Sequence, residues 1–418
     1  MGNLHGLHRS HHHNAPFPPS PAPPSSTSPY VPHMTVEPYC HVDSSLRSLA
    51  GKAEGFGRAA VGGLNGPVCH VTSLAAPPSS TSPYVPHMTV EPYCHVDSSL
   101  RSLAGKAEGF GRAAVGGLNG PVCHVTSLAD EGPGSLREAC KRPEPLWIVF
   151  DVSGTIHLSS FVNVSSHKTV DGRGQRVKIT GKGLRLKQSE NVIICNLEFE
   201  GGVGPDADAI QIKPKSSTIW IDRCTLKNYY DGLIDITRES TDITVSRCHF
   251  VNHNKTMLIG ADPSHVTDRC IRVTIHHCFF DGTRQRHPRV RFAKIHLFNN
   301  YTRHWSIYAV GAGVEAQVYS QCNIYEAGEK KTVFKYITEK AADKEEAEAG
   351  FIRSEGDWFL NGAKSCLSHD KEHHVFSPTQ HYSGWTVESS TEKLKKYIKH
   401  STGWQNLPLP PDQLPTTA

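Results

Sequence analysis

No C-x-x-C pair occurs anywhere in the 418 residues, so zinc ribbons and thioredoxin-like redox chemistry are not expected. No apolar run is long enough to suggest a membrane span. The opening stretch, MGNLHGLHRSHHHNAPFPPSPAPPSSTSPY, lacks the apolar segment of a secretory leader, and Gly6 stands where a myristoylation pattern wants Ser or Thr. Charge of one sign is scarce too: 44 Lys and Arg against 40 Asp and Glu leave a net +4. Such a balance gives no ground for nucleic-acid binding. There is also no EF-hand loop, so any calcium site has to be assembled by the fold.

What is present favours strands and turns. Glycine numbers 35, and Val, Ile, Thr and Asn are plentiful. The hydrophobic share is only 37%, partly because the chain starts with a Pro-, Ser- and His-rich tract. Its histidines (His5, His8 and His11 to His13) read as a compositional bias in a tail rather than a metal site.

Residues 22–75 and 76–129 are letter-for-letter identical, offset by 54. Diverged structural repeats keep their period and lose identity, so this is a recent duplication or a gene-model error, not a solenoid signal. Four of the twelve cysteines (Cys40, Cys69, Cys94, Cys123) are therefore two positions counted twice. Only the second copy runs on into DEGPGSLREACKRPEPLWIVFDVSGTIHL. Residues 1–104 are accordingly expected to be a disordered tail plus a redundant first copy, with the fold entered from Gly105.

A diverged repeat begins after residue 145. NVIICNLEF, TIWIDRCTL, DITVSRCHF, RVTIHHCFF, KIHLFNNYT and QVYSQCNIY share alternating apolar positions followed by Cys, Leu or Asn. Taking Val192, Ile219, Ile243, Val273, Ile295 and Val318 as one position gives steps of 27, 24, 30, 22 and 23 residues. Short strands at that spacing, without helices between them, predict an all-β chain folded as a right-handed parallel β-helix. Cys224, Cys248 and Cys278 then form one column, continued by Asn300 and Asn323, in which free thiols are favoured over a disulfide. The repeat is expected over 105–329. TEKAADKEEAEAG and TEKLKKYIKHSTGW have helix-forming composition, so 330–405 reads as a helix- and loop-containing lobe packed on the barrel, with 406–418 a loose tail.

Two acidic motifs fall on consecutive coils: GPDADAI supplies Asp206 and Asp208, and YYDGLIDI supplies Asp231 and Asp235. Four carboxylates brought together repel unless a cation sits among them, and hard oxygen donors favour calcium. Solvated turn acids at coil corners are the alternative, and the residues alone leave both open. Lys255 in HNKTMLIG follows one coil later, then DGTRQRHPRVRF with Arg284, Arg286, Arg289 and Arg291. Acids and bases on successive coils line a groove suited to an extended, repeating anion such as a polyuronic acid.

Together, GFGRAAVGGLNGPVCHVTSLADEGPGSLREA, WIVFDVSGTI, WIDRCTL, DGLIDI, HNKTMLIG and RQRHPRVR resemble the plant pectate lyases of polysaccharide lyase family one. The resemblance implies a right-handed parallel β-helix that cleaves polygalacturonate by calcium-dependent β-elimination. By motif it implies that Asp206, Asp208, Asp231 and Asp235 bind calcium and that Arg286, the first arginine of R-x-P-x-x-R, is the catalytic base. It gives Arg291 and Lys255 to substrate binding, and Arg284 and Arg289 to rim or structural roles. The family commonly has W-I-D-H where Arg223 follows Asp222 here, which bears on local packing or substrate contact. A cell-wall location is expected from the family, although no leader is visible at this N-terminus.

Elimination would remove the carbon-five proton beside the uronate carboxylate and expel the oxygen at carbon four. Calcium, Lys255 and Arg291 would neutralise the charge that grows on that carboxylate. A glycoside hydrolase would instead need an acid and a base carboxylate flanking the bond. Because arginine holds its proton to strongly alkaline pH, an arginine base implies an alkaline optimum. A monomer acting on pectin, with no membrane or nucleic-acid partner, is expected; pectin lyase action on methylated substrate fits the retained acids less well. The alternative is a catalytically impaired, pectin-binding β-helix protein.

Overall fold

A computed structural model of the chain describes residues 34–37, 68–71, 88–90 and 99–412. The apolar position aligned from sequence becomes one stacked column. Val192 lies opposite Ile219, and the parallel register runs on through Ile243, Val273, Ile295 and Val318. All six side chains are fully buried. Each contributes about 2 kcal/mol of burial, which no coil could gain alone.

Successive coils feed three parallel sheets of ten, nine and eight strands. One coil illustrates the path: Ser217–Asp222 joins the ten-stranded sheet, Thr225–Lys227 the nine-stranded and Gly232–Ile236 the eight-stranded. The chain is thus the parallel β-helix its spacing predicts.

The corner between the ten- and nine-stranded sheets has a fixed recipe. Asn196, Arg223, Arg247, His277, Asn299 and Cys322 all take left-handed backbone there, with φ between 48° and 56°. That conformation is unfavourable for Arg, His and Cys. It is held by hydrogen bonds to the next coil, such as Arg223 N–H to Ser246 O at 3.1 Å and Asn299 N–H to Gln321 O at 3.2 Å. The following residue points inward, which gives the column Cys224, Cys248, Cys278, Asn300, Asn323. The three thiols are free and fully buried. Beyond them an amide ladder takes over: Asn300 Oδ1 accepts the Cys278 N–H at 2.9 Å, and Asn323 Oδ1 the Asn300 N–H at 2.8 Å. The Asp357 carboxyl ends the ladder by accepting the Asn323 N–H at 2.7 Å.

A short helix, α1 (Leu136–Lys141), covers the first coils with buried Leu136, Ala139 and Cys140. The preceding segment lies across the outer face of the ten-stranded sheet. There Thr274, Thr244 and Thr169 hydroxyls accept the N–H groups of Phe110, Gly111 and Gly117 at 2.9–3.0 Å. Gly111 has to be glycine, because a Cβ would stand 2.6 Å from the Ile219 carbonyl oxygen. Docking begins before Gly105, with Leu100 and Leu103 buried near Trp147.

Several expectations need correction. Phe334–Tyr336, Phe351–Glu355 and Trp358–Leu360 extend the three sheets beyond residue 329. The acidic stretch expected to be helical is instead a small antiparallel hairpin, Glu339–Lys340 with Ala347–Glu348. The second helix-forming stretch is a helix, α2 (Glu392–Ser401), whose Leu394, Tyr397 and Ile398 pack on Phe279, Tyr301 and Ile324. Residues 406–412 are tied down rather than loose: Leu407 O accepts from Gly174 N–H at 2.8 Å, and Asp412 pairs with Arg101. At the N-terminus, Met34–Glu37 pairs with Val68–Val71 and Met88–Val90 in a separate three-stranded sheet, so part of the first copy carries strands. The His-rich tract lies outside the described residues.

Candidate active site

The acids gather on the outward face of the eight-stranded sheet and on the turns that lead into it. Asp235 sits on Gly232–Ile236, directly opposite Gln211 on the preceding coil. Asp208, just before Ile210–Ile212, is buried, and its carboxylate accepts the Gly232 N–H at 2.6 Å and the Gln211 side chain at 2.8 Å. Gly232 is the reason two carboxylates fit together. A Cβ there would lie 2.8 Å from Asp208 Oδ1 and 2.8 Å from Asp235 Oδ1, so both oxygens look into the space its missing side chain leaves.

That cradle is electrostatically unfinished. Burial, with the Asp231 charge adding to it, pushes the Asp208 carboxyl above its usual range. Burial and the Asp208 charge push Asp235 well above it, while Lys213 and Arg286 pull it partly back. Two hard, crowded, under-compensated carboxylates fit a hard divalent cation of the calcium type.

The outer pair of acids is engaged by lysines. Asp231 Oδ1 lies 2.6 Å from Lys255 Nζ, and Asp206 Oδ1 lies 3.5 Å from Lys213 Nζ. Consistent with this, no three metal-ligating side chains among the described residues converge on one point in this arrangement. The structure therefore brings Asp206, Asp208, Asp231, Asp235 and Lys255 into one patch without closing them into a metal shell.

The arginine stretch lies on the next coil. Lys255 bridges to Gln285 in parallel register, and Arg286 O accepts the Met257 N–H at 2.9 Å. Arg286 itself is in left-handed backbone, with φ 67°. Its guanidinium makes no hydrogen bond or ion pair among the described residues, and its charge is near enough to Asp235 to pull that carboxyl down. Arg289 and Arg291 behave differently, since both grip Glu339 at 2.6–2.9 Å. Arg291 also donates to the carbonyls of Gly260 and Ala261 at 3.1 and 2.8 Å. Burial alone would raise the Glu339 carboxyl, but the two arginines hold it below the usual carboxylate range.

Sequence reasoning missed Lys213 and Glu339. Lys213 had a local signal, standing two residues beyond Gln211 and hence on the same strand face. Glu339 had none, being 48 residues from Arg291. Arg223 turns out to be remote from these acids by topology. It occupies the corner between the other two sheets, where Arg223 and Arg247 flank the buried Asp222 at 2.8 Å. The C-terminal segment covers this corner, where Gly403 N–H bonds Arg247 O at 2.8 Å.

The fold is a parallel β-solenoid with acids and bases ranged along one outer sheet. Comparison with known proteins identifies its family. The pectate lyase family profile matches residues 155–406. The chain is 39% identical over 284 residues to putative pectate lyase 21 of Arabidopsis thaliana, covering 63% of this chain and 72% of that protein. It is 35% identical over 291 residues to pectate lyase 2 of Ambrosia artemisiifolia, covering 64% and 73%. Among solved structures, the cedar pollen allergen jun a 1 superposes with a TM-score of 0.62 at 29% identity, covering 73% of this chain and 94% of that one. A pectate lyase from Bacillus sp. N165 in complex with trigalacturonate superposes with a TM-score of 0.57 at 25% identity, covering 71% and 98%. The chain belongs to the pectate lyase family and is a polysaccharide lyase.

Proposed function

We propose that this chain cleaves de-esterified (1,4)-α-D-galacturonan in the cell wall by calcium-dependent β-elimination, giving 4,5-unsaturated oligogalacturonides. The observation that carries the reading is the contrast among the arginines. Arg289 and Arg291 are clasped by Glu339, whereas the Arg286 guanidinium has no hydrogen bond or ion pair among the described residues and lies near enough to Asp235 for its charge to lower that carboxyl. A named relative crystallised with trigalacturonate supports the substrate class.

Asp208 and Asp235, with Asp206 and Asp231, would hold calcium, whose bound charge supplies a counter-ion to the uronate carboxylate. Arg286, in the neutral form that alkaline pH supplies, takes the proton from carbon five; the electron pair forms the 4,5 double bond, and the carbon-four oxygen leaves and takes a proton from water to become the new hydroxyl end. Lys255 stands one coil from Arg286 and can pass from Asp231 to the sugar carboxylate. Arg291, assigned to substrate by motif, reaches a carboxylate only by sharing or releasing Glu339.

A second reading, a pectin-binding protein without turnover, is favoured by the engagement of Asp206 and Asp231 with lysines. One assay separates the two. Polygalacturonate incubated with the protein and calcium at alkaline pH should gain ultraviolet absorbance from unsaturated ends, and a chelator should abolish the gain. No rise with calcium favours the binding protein; a rise indifferent to chelator removes the four acids from metal binding.

A further inference from the structure

Among the described residues, the large hydrophobic side chains left exposed are Val203, at 58%, and Tyr230, at 66%. Both belong to the turns that carry the acids: Val203 precedes Asp206 by three residues, and Tyr230 adjoins Asp231. The two turns are stacked and bonded to each other, Gly201 N–H to Asn228 O at 3.1 Å and Asp231 N–H to Ala207 O at 3.2 Å. An apolar rim therefore runs beside a charged floor.

Tyr230 is presented by a rigid turn. Tyr229, its neighbour, is buried, and its hydroxyl shares its one proton between the carbonyls of Ile179 and Lys182, each at 3.3 Å. The Tyr229 ring lies so close to Gly202 that a Cβ there would stand 1.9 Å from it. On the other side, the Asp231 carbonyl pairs with the His253 ring at 2.8 Å. With both neighbours fixed, the backbone that presents the exposed ring need not reorganise when something covers it.

We propose that Tyr230, flanked by Val203, is a stacking platform for one pyranose ring of the galacturonan chain. The proposal rests on the function proposed above and adds a subsite to it. A pyranose offers C–H bonds on one face and its carboxylate at the edge. An aromatic face takes the first, and the Asp231–Lys255 and Asp206–Lys213 pairs beside it provide cations for the second. No charge neutralisation by the ring is required, so its contribution is to binding rather than to the elimination step.

The test measures binding of trigalacturonate and hexagalacturonate, with calcium, to Arg286→Ala protein carrying Tyr230, Tyr230→Phe or Tyr230→Ala. Stacking predicts that Tyr230→Ala weakens hexagalacturonate about tenfold, whereas Tyr230→Phe binds like the parent. In the Arg286 background, Tyr230→Ala should raise KM for polygalacturonate by a similar factor and leave kcat unchanged. Equal binding by all three, a phenylalanine as weak as alanine, or no hexagalacturonate binding by the parent overturns it. So does a wild-type dimer that Tyr230→Ala converts to monomer, which would give the patch to self-association. If binding depends on Tyr230 but the wild type makes no unsaturated product, the lyase reading falls and this subsite stands.

Discussion

Arg289 and Arg291 share one carboxylate, and that carboxylate controls how much positive charge the groove offers to substrate. Glu339 meets both guanidinium groups at 2.6–2.9 Å in a partly buried setting. Replacing it by glutamine leaves two arginines short of an acceptor, and we expect a stability loss on the order of 2–3 kcal/mol. If Arg291 reads a uronate carboxylate, Glu339→Gln should also lower KM for oligogalacturonate severalfold with kcat unchanged. A KM that stays put would make Arg291 a structural clasp only. At this scale the sequence revealed the residues that belong to contiguous motifs, Asp208, Asp235, Lys255 and Arg286 among them. It did not reveal Glu339, because that partnership is made by the return of a distant hairpin, nor the lysine clasp on Asp206, because Lys213 carries no motif.

Within the elements, the inward column after each left-handed corner changes from thiol to amide to acid. Asp357 closes it with acceptors for the buried Asn323 and Ser320 and the half-buried Ser354. Burial raises its carboxyl to about 6, against an unfolded value of about 3.9. The folded protein therefore prefers the protonated form. The stability this group contributes is present in acid and is lost as pH rises from about 4 through about 6. Asp357→Asn has no charge to bury, so its melting temperature should gain on the wild type across that window, by the equivalent of about 2–3 kcal/mol at neutral pH. A difference that does not change with pH would show that Asp357 stays ionised throughout. The register of the column was legible because a buried period-two pattern fixes which residues stack. The hairpin at Glu339 was not legible, since helix-forming composition is a weak preference and a long-range ion pair outweighs it.

As a whole molecule the solenoid carries two straps. One is the glycine-rich segment laid on the ten-stranded sheet; the other runs from α2 to Asp412 along the left-handed corner, with Gln405 N–H on Asn196 at 2.9 Å and Leu407 O on Gly174 at 2.8 Å. The end of the second strap, from residue 406, read as a loose tail because its proline-rich sequence has no periodicity of its own; it borrows order from the corner it follows. The first strap comes from the second copy of the duplication. Because removing 22–75 leaves that copy intact, the deletion should leave the solenoid's melting temperature and its activity on polygalacturonate unchanged. A large fall in melting temperature would show that the small N-terminal sheet contributes to the fold. The central claim concerns the acid- and arginine-bearing face of the eight-stranded sheet, which neither strap crosses, and one measurement reaches it most directly. The rate of unsaturated-product formation from polygalacturonate, with calcium at alkaline pH, should fall on the order of a thousandfold in Arg286→Ala while galacturonan binding persists. A variant that keeps its rate to within a fewfold, or a wild type that forms no unsaturated product, would contradict the account.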